Sequence, residues 1–131
     1  MKWTNDCSIG IPELDEQYNR VIERFAFVRE IAAKGGGWND MHLALVTLIK
    51  SFEFCSAVEE ALMRIDVYPR CERHKKEHAG LLLGLRAMEN AALTTGLTEE
   101  MIGPAFAATM KHHLIHNRHF ARYLPQVRGH A

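Results

Sequence analysis

Two histidines four residues apart, His74 and His78, are the first part of this chain whose type and spacing suggest chemistry. On an α-helix that spacing puts both imidazoles on one face, where they can grip a single metal ion. Upstream, Cys55-Ser56-Ala57-Val58-Glu59-Glu60 places the Glu59 carboxylate on the apolar stripe of a preceding helix. A carboxylate buried without a cation or donors is costly, so something must face it. Four of the eight His residues crowd into 112–119, and one of them, His113, falls on the apolar stripe of a last helix. Three imidazoles with one carboxylate form a sensible ligand set for Fe, Zn or Mn.

These residues need helices to position them. After an irregular arm over 1–12, held off regular structure by Gly10 and Pro12 and anchored by Trp3, Ile9 and Ile11, apolar residues recur at helical spacing from Leu14 to Ile31. The spacing predicts helices over about 13–34, 39–66, 70–93 and 98–124. Gly35-Gly36-Gly37 stops the first, and Asn39 caps the second. Tyr68-Pro69 ends the second, because the residue before proline disfavours helical dihedrals. Thr98-Glu99-Glu100 opens the fourth, Pro104 predicts a kink or restart within it, and Pro125 predicts its end, with a loose tail to Ala131. No strand pattern or repeat is present. The expected fold is all-α, an up-down-up-down four-helix bundle with an N-terminal arm, in one domain over 1–131.

Composition removes several classes of function. Lys plus Arg and Asp plus Glu balance at 16 each, so no net field recruits nucleic acid or an anionic membrane. No apolar run is expected to reach the ~20 residues of a bilayer span. Cys7, Cys55 and Cys71 form no CxxC pair or even disulfide framework, which fits a reducing compartment, and the N-terminus lacks the apolar core of a signal peptide. The expected location is the cytoplasm.

Tyr18, Cys55, Glu59, His74, His78 and His113 all fall on the inward stripes of their helices. Singly, each has a plain reading as a hydrogen-bonded or space-filling core residue. Together on several helices they form a constellation. His112, His116 and His119 read as a solvated face beside the stripe, with His112 or His116 as alternative ligands. Glu60 reads as an ion pair at the surface or between helices, and Cys7 and Cys71 as incidental thiols.

At this point the chain resembles the hemerythrins, in particular the single-domain bacterial ones, over about residues 3 to 124. The resemblance rests on Trp3, on Ile9-Gly10-Ile11-Pro12-x-Leu14-Asp15-Glu16-Gln17, on Glu59-Glu60-x-Leu62-Met63, on Tyr68-Pro69 and on His74-x-x-x-His78 with a later His. It implies a four-helix bundle around a non-haem di-iron centre that binds O2. One iron takes three His, the other takes two, and a Glu and an Asp bridge them. Residue by residue, His74, His78 and His113 match the three-His iron, and Glu59 matches the bridging Glu. His113 is preferred over His112 because it shares a stripe with Phe106, Met110 and Phe120. The second iron's ligands are replaced: Tyr18 and Cys55 stand where the family has His, with Ser56 in place of the usual Phe. Arg118 stands at the bridging Asp position, or Asn117 does if His112 is the ligand.

The expectation is a single-metal site of His74, His78, His113 and Glu59, with an open side facing Tyr18 and Cys55. Iron is the expected ion, with Zn or Mn as alternatives. The function so implied is binding of a small diatomic ligand such as O2 or NO, or of the metal itself, for sensing or storage rather than catalysis. Ordinary di-iron O2 carriage is expected to be lost. The competing readings are a metal-free scaffold or regulatory bundle, a di-iron protein with substituted ligands, and a metalloenzyme using Tyr18 and Cys55.

Overall fold

A computed structural model of the chain describes residues 5–128, with side chains described over 6–124. Trp3 and the last residues of the tail lie outside that range. Every regular element among the described residues is helical, with no strand. A short 3₁₀ turn, Asn5–Cys7, precedes α1 (Pro12–Lys34), α2 (Trp38–Ile65), α3 (Cys71–Leu93) and α4 (Glu99–His112). A π-turn, His113–Asn117, then joins α4 to α5 (Arg118–Arg128). The flanking His112 and Arg118 both keep right-handed helical dihedrals, so α4, the π-turn and α5 run on as one long helix. Four long helices result.

Local chemistry accounts for most of the ends. Pro12 starts α1, where its missing N–H costs no hydrogen bond. Asp15, one turn in, accepts from the Ile9 N–H at 2.9 Å and the Ser8 hydroxyl at 2.7 Å, which ties the arm to the helix. At the other end Gly35 takes φ 66, and the Gly36 N–H bonds the Ile31 carbonyl, a left-handed cap open to glycine at little cost. Gly37, not Asn39, occupies the N-cap of α2. Val67 holds φ 53, costly for a β-branched residue, and the Tyr123 hydroxyl secures that turn on the Asp66 and Val67 carbonyls.

The restart expected at Pro104 and the helix end expected at Pro125 both need correction. The helix passes through Pro104 without restarting, and through Pro125 to Arg128. A proline removes a donor but keeps a helix-compatible φ, so packing on either side can carry the helix past it. The break in regularity comes instead at the π-turn.

Helix α1 packs on α2, α2 on α3, and α3 on α4, while α4 also meets α1. One apolar cluster joins Phe25, Leu45, Leu48, Phe52, Leu85 and Ile102; a second joins Leu14, Met63, Tyr68, Phe120 and Leu124. Helix α2 is long and apolar enough by composition to cross a membrane, but Leu45, Leu48, Phe52 and Met63 along it are buried in these clusters. Phe25 is fully buried and meets the Phe106 ring edge-on at 5.3 Å. Phe25→Ala is therefore expected to cost about 3–5 kcal/mol, seen as a lower urea midpoint at unchanged slope.

Along each helix the polar stripe residues lie between the two clusters. On α1, Tyr18 sits between Leu14 and Phe25; on α2, Glu59 sits between Phe52 and Met63; on the last helix, His112 to Asn117 precede Phe120. The packing thus brings Glu59, His74, His78 and His112 to one level, with Tyr18, His113 and Asn117 beside them.

Candidate metal centre

Glu59 is fully buried and is the hub of that level. Its Oε1 lies 2.8 Å from His74 Nε2, 3.3 Å from His78 Nε2 and 3.5 Å from His112 Nε2. One donor atom from each of the four residues falls within 4.8 Å of all the others, and all four residues are buried. Donors about 2.1 Å from a tetrahedrally bound ion stand about 3.4 Å apart, close to the Glu59–imidazole separations already present.

The set differs from the expected one at one position: His112, not His113, completes the group. The physical reason is the π-turn. In α4 the buried residues are Ile102, Thr109 and His112, whereas beyond it they are His113, Asn117, Phe120 and Leu124. Two stripes one residue out of register meet in the π-turn, which absorbs the extra residue. His113 belongs to the second stripe. Its ring stacks on Tyr18 at 3.9 Å, donates from Nε2 to the Cys7 carbonyl at 2.8 Å, and accepts at Nδ1 from Asn117 Nδ2 at 3.1 Å.

The outer nitrogens are braced by carboxylates. His78 Nδ1 lies 2.8 Å from Glu60, and His112 Nδ1 lies 2.7 Å from Glu77, which also meets His116 Nε2 at 3.2 Å. The expected ion pair of Glu60 is thus an inter-helix pair to a cluster histidine. Carboxylates behind imidazoles fix ring orientation and raise ligand basicity at metal sites. Glu77 was missed by the sequence reading. Its only signal is a position on α3 beside His78 and three residues after His74. Glu77→Gln is expected to weaken metal binding about 10–100-fold at unchanged helix content, measured by competition with a chromogenic chelator.

Protonation favours the same use. Burial would raise the Glu59 pKa, but hydrogen bonds from His112, His74 and His78 outweigh it and hold the carboxyl well below its usual range. Burial pushes His74 down, towards the neutral form that a metal requires. His112 Nδ1 meets Glu77 at 2.7 Å, and its buried Nε2 faces the same Glu59 Oε1 as His74 and His78, at the longest of the three distances, 3.5 Å. That donor set is one that an ion would satisfy, so the residues present fit a metal.

His78 is the exception. Burial lowers its pKa, but Glu59 and then Glu60 outweigh burial and raise it above the usual value. Ion uptake near neutrality must displace that proton. Apparent affinity should therefore climb about tenfold per pH unit until pH passes the raised His78 pKa, then level off. Calorimetric titrations in buffers of different ionisation enthalpy check this, and uptake without proton release at pH 6 would contradict it.

On the other side of Glu59, Oε2 accepts from the Cys55 thiol at 3.4 Å. Burial first, then the Glu59 charge, pushes the Cys55 thiol and the Tyr18 phenol well up, so both are protonated. Tyr18 Oη and Asn117 Oδ1 are buried there without hydrogen-bond partners. Arg118 does not enter this space; its guanidinium donates to the Asp6 carbonyl at 2.9 Å. Of the other histidines, His116 is half-buried against Glu77, and exposed His119 accepts from the Tyr68 hydroxyl at 2.6 Å.

Four side chains able to hold a metal ion are therefore gathered in the core, with a thiol, a phenol and a carboxamide across the carboxylate from three imidazoles. No family model, curated protein or solved structure matches the chain, so its functional reading rests on this geometry.

Proposed function

We propose that this chain is a hemerythrin-like, up-down-up-down four-helix bundle that holds one metal ion and binds a small ligand beside it. The observation that carries the reading is the convergence of three imidazole Nε2 atoms on Glu59 Oε1, two of the rings being braced from behind by Glu60 and Glu77. A structural histidine pair needs no such bracing, whereas an ion-binding one gains basicity and orientation from it. Glu59, His74, His78 and His112 would hold the ion, with iron the ion we favour and Zn or Mn also compatible with the donors. When bound, the ion supplies a Lewis-acidic position for a small molecule such as O2 or NO.

The chain's own residues define the other wall of that position. Cys55 and Tyr18 present neutral S–H and O–H groups, and Asn117 presents a carboxamide, so a polar guest meets hydrogen-bond donors there instead of ligands for a second ion. Reversible binding for sensing or storage fits this better than di-iron O2 carriage, since the electrons of a second iron have no holder. The test is metal analysis of tag-free protein with optical spectra before and after aeration. About one equivalent of bound ion is expected after supplementation, and less than about a tenth would overturn the reading.

A further inference from the structure

We propose that the groove between α2 and α3 is the passage by which a small uncharged molecule reaches the His78 side of the centre; the inference rests on the metal reading above. The groove is open to solvent and offers about 320 Å³, ample for a small molecule. Its inner lining is buried Phe52, Ser56 and His78, and its outer lining includes the small, exposed Ala57 and Ala79. His78 is itself one of the four cluster residues, so the inner end of the groove is one imidazole away from Glu59.

Three observations say what fits. Ser56 is 8% exposed, and its buried Oγ has no hydrogen-bond partner, so a guest able to make one hydrogen bond is accommodated. The walls are mainly apolar. The charges at the groove's rim are paired, Glu53 with Lys50 and Arg86, Glu60 with His78 and Lys75 with Glu72, so none of them recruits an ion. Two other cavities, one beside Trp38 and Leu97 and one beside Arg29 and Thr98, include no member of the Glu59 cluster. Together these features favour a small uncharged molecule that can make one hydrogen bond, the class to which NO belongs.

A passage has a kinetic signature that distinguishes it from a binding contact. Narrowing it raises the barrier to entry and to exit equally, so both rate constants fall and their ratio does not change. Ala57→Leu and Ala79→Leu fill the outer groove from exposed positions without touching the cluster. With ferrous-loaded protein and NO as probe, stopped-flow should show association and dissociation each slowed about tenfold in the double variant, at unchanged Kd. Either single variant serves if the double one does not fold. Unchanged rates, or a change in dissociation alone, would overturn the passage. Metal content measured on the same samples separates the two ideas, since an ion-free wild type overturns the metal reading. The groove is then judged in metal-free protein by xenon. Saturable shifts of the Leu82 methyls that vanish in the double variant support it, and their absence in the wild type overturns it.

Discussion

His112→Ala should weaken metal binding by well over 100-fold, while His113→Ala should leave about one equivalent bound. The two residues are neighbours, and both are buried, so neither exposure nor local sequence distinguishes them. Geometry does. His112 Nε2 is 3.5 Å from Glu59 Oε1, whereas the nitrogens of His113 are engaged by the Cys7 carbonyl and the Asn117 carboxamide. Removing His112 deletes an ion donor and leaves Glu77 with His116 alone, which is worse than losing Glu77. Removing His113 deletes the stacking partner of Tyr18 and one tether of the arm, so its effect should appear as lower thermal stability. Chelator competition on both variants, with circular dichroism to confirm folding, decides between them. Tight binding that survives His112→Ala and disappears in His113→Ala would reverse the assignment.

That pair of residues also marks where sequence reasoning stops. Helix existence and most ends are legible because their causes are local. Gly35 can adopt the left-handed cap, Thr98 sits where α4 begins, and Tyr68-Pro69 interrupts the path between α2 and α3. Glu59, His74 and His78 are legible as a group because a carboxylate and imidazoles on apolar stripes have few inexpensive partners. The choice between His112 and His113 is not legible, because counting at 3.6 residues per turn assumes one unbroken stripe. From Phe120 backwards that count reaches His113; from Ile102 and Thr109 forwards it reaches His112, and only the π-turn reconciles them. Glu77 and Arg118 fail for a different reason. Each depends on which element lies opposite, Glu77 facing the last helix and Arg118 the arm, and helical spacing does not specify a neighbour.

Replacing Tyr18 by His, Cys55 by His and Asn117 by Asp together should raise metal binding from about one equivalent to about two. Glu59 has two oxygens, and their surroundings differ. Oε1 faces three imidazoles, and Oε2 faces the Cys55 thiol at 3.4 Å, with Tyr18 beside it. A second ion on the Oε2 side would meet a protonated thiol, a protonated phenol and a neutral carboxamide, none of which offsets its charge. Two imidazoles and a carboxylate at those positions, with Glu59 shared between the ions, supply the donors and the negative charge now lacking. Arg118 is no obstacle, since its guanidinium is turned to the Asp6 carbonyl. Tyr18→His also gives up a large buried ring that stacks on His113, so the variant should be less stable than the parent before metal is added, and should regain stability with it. The measurements are the metal-to-protein ratio and the shift in melting temperature on loading. A folded triple variant that still takes about one equivalent would show that backbone placement, and not the identity of these three side chains, limits the centre to one ion.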